Sequence, residues 1–218
     1  MDTRLRVGRS IAKTESEGAL EVMQQIKERY CPKHPPAFAT DGHLGYPIAI
    51  TVTWGTELKN KRSGKPCKVK SKASYTSWAY IQIIKNRKNN RLVSLNSKVV
   101  FGKAERVKEL LGEHTSYVER TNLTSRHING RLVRKTLSFS KKKKYLKASC
   151  EWEDAIYNFT RTVDTLKEKL PERSIGELFS PIYLQKTPAM AAKIADKKWT
   201  IADTLLFRPP MKLSTHYP

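Results

Sequence analysis

Between Tyr117 and Ser140 the chain reads YVERTNLTSRHINGRLVRKTLSFS, and this stretch restricts its fold and use more than any other. A helix starting at Ser116 carries one carboxylate, Glu119, near its beginning and is otherwise basic. Arg120, His127, Arg131 and Arg134 follow at helical offsets, which would set them along one stripe. A helix that simply coats DNA does not need an acid among so many cations. A phosphoryl-transfer surface does, because it sets a metal ligand beside groups that hold the nucleic-acid backbone. Asn122 and Arg126 share the face of Glu119; Asn122 can orient a ligand and Arg126 can grip a phosphate with two hydrogen bonds. Ser116-Tyr-Val-Glu119 is also a capping box, in which the acid reaches back to the cap amide. The residues alone leave both readings of Glu119 open.

The charge of the whole chain points the same way. Lys and Arg total 42 against 20 Asp and Glu, a formal charge of +22 over 218 residues. The excess is dispersed, which favours nucleic acid as partner, since a polyanion that binds releases its counterions. No segment joins a basic face to a strong apolar face, as a membrane-surface helix would. No run approaches the roughly 18 apolar residues of a spanning helix, so no membrane partner is expected. The cysteines, Cys31, Cys67 and Cys150, are scattered and odd in number, which fits a reducing cytoplasm better than a disulfide framework.

Along the chain the pattern alternates between strand and helix, and the fold class expected is α/β. Leu5–Ala12 reads as a strand. Lys13–Arg29 reads as a helix capped by Thr14, with Ala19, Leu20, Met23 and Ile26 as its apolar face. Ala37–Thr40 is a short strand that ends at Asp41-Gly42. Trp78–Lys85 and Leu92–Phe101 form a hairpin turning at Lys88, Asn89 and Asn90. A helix over Lys103–Leu111 stops at Gly112. From Ser140 a core helix repeats Tyr145, Ala148, Ser149, Trp152, Ala155, Ile156 and Phe159 inward, with Glu151, Glu153 and Asp154 on the surface. After residue 160 prolines punctuate a loosely structured helical tail over 161–218, in which Thr200 and Asp203 cap a last short helix.

Two further places carry chemistry. Asp41 closes a short apolar strand, and strand ends in α/β sheets point side chains at the mouth where ligands bind. An Asp-Gly turn without function is the other reading, and the residues do not choose between them. Residues 58–79 contain no acid and carry Lys59, Lys61, Arg62, Lys65, Lys68, Lys70 and Lys72. They read as a basic insertion into the first 160 residues that contacts DNA, or as a solvated connector. Tyr75, Trp78 and Tyr80 beside it either stack on bases or begin the next strand, and strand propensity favours the latter.

YVERTNLTSR followed by GRLVRKTLSFSK resembles the end of the catalytic core in transposases of the insertion-sequence-one type. ATDGHLGY resembles their second-Asp segment, DTRLRVGRSIAKTE a strand that follows their first-Asp strand, and TPAMAA with WTIADTLL their tail. The resemblance implies a ribonuclease-H-like core of the integrase and transposase kind, incomplete at the N-terminus, with a helical C-terminal part. It implies Asp41 and Glu119 as catalytic metal ligands for Mg²⁺ or Mn²⁺, supported by Asn122 and Arg126. It also implies metal-dependent cleavage and strand transfer of DNA, with transposon ends and target as partners and homo-oligomerisation of the full-length form. Arg120, Arg131, Arg134 and Lys135 would hold DNA together with the 58–79 segment. The first Asp of the pattern lies on a strand ahead of the DTRLR-like segment, and Asp2 matches a turn residue instead. A chain with two of three carboxylates is expected to bind DNA without cutting it. The contrasting reading is a non-catalytic basic DNA- or RNA-binding protein, in which Asp41 is a turn residue and Glu119 a cap.

Overall fold

The computed structural model describes residues 3–29, 35–55, 58–59, 66–67, 77–89, 91–112, 116–170 and 182–208, with backbone alone at 58–59, 66–67, 87 and 116–119. The chain divides into two units, Val7–Thr124 and Met1–Arg6 with Ser125–Pro218. Its architecture is mixed α/β.

The first unit is built on a sheet of three strands in the order β1-β4-β5. Strand β1 (Phe38–Asp41) runs parallel to β4 (Tyr80–Lys88), which turns back antiparallel into β5 (Arg91–Phe101). Asn89 takes the left-handed φ of 50° at the hairpin turn, a conformation asparagine tolerates better than most residues. Side chains around β4 alternate, as the period of two requires. Trp78 and Tyr80 enter one core with Ala19 and Met23 of helix α1 (Glu15–Arg29) and Ala49, Ile50 and Trp54 of α2 (Gly45–Trp54). Ala79 and Ile81 enter another with Val107 of α3 (Ala104–Leu111). Tyr80 of β4 and Trp78 just ahead of it are therefore core residues, not a stacking surface. Tyr75 lies outside the described residues. A short antiparallel ladder joins β2 (Leu58–Lys59) to β3 (Pro66–Cys67).

Helix α1 follows its signals. Thr14 Oγ1 accepts the Glu17 N–H at 3.2 Å, acids occupy the first turn and Lys27 and Arg29 the last. Helix α2 takes residues to which the sequence assigns no element. Its GYPIAITVTW is rich in β-branched residues, which favour strand. Tertiary packing overrides that preference: Ile50 is fully buried, and the Thr51 and Thr53 hydroxyls bond back to the carbonyls of Pro47 and Ala49 at 2.8 and 2.7 Å. Gly102 is obligatory at φ 95°, since a Cβ there would sit 2.2 Å from the Trp78 carbonyl oxygen.

The strand expected over Leu5–Ala12 is not formed. In the first unit a side chain takes the place of a strand partner: the Gln25 amide accepts the Arg9 N–H at 3.2 Å and donates to the Arg9 carbonyl at 3.0 Å. Backbone groups satisfied in this way need no ladder.

Helix α4 (Ser116–Ile128) spans the division between the units. Within the second unit α5 (Lys143–Ala155) runs on into a π-helical turn, Ile156–Thr160. A short ladder of β6 (Glu168–Lys169) with β7 (Tyr183–Leu184) and two short helices, α6 (Pro188–Ala191) and α7 (Ile201–Leu206), complete it. Thr200 and Asp203 form the expected capping box on α7. Trp199 lies between Phe159 and Phe207, with ring centroids 4.5 and 5.1 Å away.

The inward face of α5 differs from the one expected. Cys150, Glu153 and Tyr157 are buried, whereas Tyr145 and Trp152 are 54% and 40% exposed. The reason is Arg6. Its Nη1 lies 2.5 Å from Glu153 Oε1 and 3.0 Å from Asp154 Oδ1, and its guanidinium sits 3.8 Å over the Tyr157 ring. The Asn158 amide clasps the Arg6 backbone, accepting its N–H and donating to its carbonyl, both at 2.9 Å. A buried carboxylate needs a cation, and this cation comes from the far end of the sequence. Among the described residues, no helix is long and apolar enough to cross a membrane.

Candidate carboxylate site and nucleic-acid interface

Asp41 ends β1, beside Ile83 of β4, with its side chain exposed. Its Oδ1 accepts the His43 N–H at 3.2 Å, an Asx turn that starts the loop into α2. Three further contacts hold that loop. Gln82 of β4 donates to the His43 carbonyl at 3.0 Å, and Gly45 N–H donates to His43 Nδ1 at 3.1 Å. With Nδ1 accepting, Nε2 carries the ring hydrogen, and it lies 3.1 Å from Glu15 Oε2. Gly45 is required here by close approach, because a Cβ would meet the His43 ring at 2.7 Å and the Ser16 backbone at 3.1 Å.

The surroundings feel the two acids. Burial raises the Tyr46 hydroxyl above its ordinary pKa, and the charges of Asp41 and Glu15 add to the shift. Burial pushes Tyr80, whose hydroxyl lies 2.9 Å from Thr40 Oγ1, up to about 12. An exposed carboxylate at the end of a parallel strand pair can ligate a hard cation. Among the described residues no three His, Cys, Asp or Glu side chains gather to hold one. Glu119 lies in the first turn of α4, and its side chain, with the Asp41–Glu119 separation, falls outside the described residues.

The basic residues divide into three sets. Lys59 lies on β2, while Lys61, Arg62, Lys65, Lys68, Lys70 and Lys72 lie outside the described residues. Arg120 and Asn122 are exposed on α4, and Arg126 is half-buried on it. Arg131, Arg134 and Lys135 are exposed but do not continue the α4 stripe. The helix stops at Ile128; buried Asn129 then accepts the Arg131 N–H at 3.1 Å, and Gly130–Leu132 form a separate 3₁₀ turn. An asparagine side chain competes in this way with helix propagation, so the expected stripe is broken after His127.

The sequence pattern left part of this surface unmarked. Lys141, Lys142, Lys143 and Lys144 are exposed at the start of α5, and no acid occurs between Arg120 and Cys150. Four adjacent lysines were the available signal. In the same unit Arg131, Phe139 and Trp152 line a cleft of about 640 Å³ that also reaches Asn129, Ser149 and Glu153. No family model, curated protein or solved structure matches the chain.

Proposed function

We propose that this chain binds DNA as part of a transposase of the insertion-sequence-one type, with a ribonuclease-H-like core and phosphodiester cleavage and strand transfer as its chemistry. The observation that carries the reading is the exposed Asp41 carboxylate at the end of a parallel strand pair. The motif around Glu119 and the acid-free basic run after it support the same reading. A parallel pair joined through a helix is compatible with a ribonuclease-H-like core.

Asp41 and Glu119 would hold Mg²⁺ or Mn²⁺, and the bound ion would stabilise charge developing on the phosphodiester oxygens. The fit is partial: Asp41 offers hard oxygen, and among the described residues it belongs to no group of three candidate ligands. The protein's own groups have separate roles. His43 N–H and the Gln82 bond to its carbonyl fix the Asp41 turn. Arg120, Arg126, Arg131 and Arg134 would grip phosphates without reading bases.

The test is Mn²⁺ binding followed by electron paramagnetic resonance, with duplex DNA present. Asp41→Asn and Glu119→Gln should each weaken Mn²⁺ binding while DNA affinity persists. Mn²⁺ binding unchanged in both variants would remove the transferase reading and leave a basic DNA-binding protein, for which the Asx turn at Asp41 is sufficient explanation.

A further inference from the structure

We propose that the cleft between the 3₁₀ turn and α5 takes an unstacked nucleobase from a DNA single strand, with Phe139 and Trp152 as its stacking surfaces and Arg131 on the adjoining phosphate. The inference rests on the DNA-binding reading above and adds to it a strand state and a site.

Phe139 and Trp152 are 59% and 40% exposed and line the same cleft. Large aromatics left exposed around one cleft offer flat π-faces, and base stacking on such faces tolerates any base. The volume, about 640 Å³, suits a nucleotide-sized group. The polar lining is already organised. Asn129 Oδ1 accepts both the Arg131 N–H and the Ser149 hydroxyl, each at 3.1 Å. Arg131 Nη1 donates to Ser140 Oγ at 2.7 Å, which fixes the guanidinium at the rim. Glu153, the acid in the lining, is paired with Arg6 and so does not present a bare charge to a phosphate.

Charge selects the occupant. Arg131 lines the cleft, and the segments that supply the lining also carry Arg134, Lys135 and Lys141 to Lys144, all exposed, a local excess of cations that draws a polyanion rather than an apolar peptide. Concavity selects the strand state, because a duplex hides its base faces within the stack whereas a single strand can offer one.

The experiment compares fluorescence anisotropy of a labelled oligothymidine and a duplex of equal length, using the full chain. Phe139→Ala/Trp152→Ala should weaken single-strand binding by roughly 5- to 150-fold for each stacking face removed and leave duplex binding within about twofold. Trp152→Phe keeps a π-face and should retain most of the single-strand affinity, which separates the loss of stacking from a loss of folding. Equal losses on both oligonucleotides, or no loss on either, overturn the proposal while DNA binding itself stands. Dissociation of a dimer by the double substitution, with single-strand affinity unchanged, overturns it in favour of an interface between copies. Failure of the unaltered chain to bind either oligonucleotide removes the site and the DNA-binding reading together.

Discussion

The two units hold themselves together by different means. In Val7–Thr124 the centre is apolar and aromatic: Ile50, Tyr80, Ile81, Ile83 and Val107 are almost wholly buried. In the helical unit charge and amides occupy much of the interior. Glu153, Asn129, Asn158 and Thr187 are buried, and Arg6 pairs with two acids that follow it in sequence by 147 and 148 residues. Non-directional burial tolerates approximate partners, whereas a buried carboxylate requires one particular cation. The sheet unit carries an exposed acid at a strand end, and the helical unit covers Glu153 together with the cation that pairs with it.

The sharpest way to break this contrast is to remove the cation. Arg6→Met should destabilise the helical unit by about 3–5 kcal/mol, the usual cost of leaving a buried charge uncompensated. Amide hydrogen exchange in α5 would report it, and adding Glu153→Met should restore most of the loss. A somewhat smaller effect is expected from cavity formation in the other unit. Ile81→Ala should cost about 2–5 kcal/mol in denaturant unfolding, the range for a fully buried aliphatic residue. If Arg6→Met costs no more than a surface substitution, the contrast between the units is void. The smallest effect is one of pH. The folded pKa of Tyr80 is raised to about 12 against an ordinary 10.0, so its neutral form is the one the fold favours. Its contribution is complete below the unfolded value and is lost as pH rises from 10.0 through about 12. A tyrosinate absorbance titration should show one group ionising late, and Tyr80→Phe should remove that late step.

The same contrast decides what is legible in the sequence. Two strand-like segments either side of the Lys88-Asn89-Asn90 turn announce β4 and the hairpin, and helical spacing announces the burial of Ala19 and Met23, because each depends on nearby residues. The capping box at Thr200 and the stop at Gly112 are legible for the same reason. Helix α2 is not, since its β-branched residues argue for strand and only packing against α1 and β4 reverses that. The inward face of α5 is hidden because Trp152 looks like core and Glu153 like surface until Arg6 is brought to Glu153. The stripe from Arg120 to Arg134 fails at Asn129, a residue type whose side chain competes for backbone hydrogen bonds. Of the candidate site, Asp41 is legible at its strand end. The cleft is not, because it is assembled from separate segments of the helical unit.

DNA affinity measured against salt concentration tests the central claim most directly. The unaltered chain should bind duplex DNA of unrelated sequences with similar strength, with log K falling steeply and linearly against log salt. Replacing Arg131 and Arg134 by alanine should weaken binding to every sequence and make the slope shallower by about 0.9 for each phosphate no longer held. Binding indifferent to salt, or a slope unchanged by the two substitutions, would contradict the account.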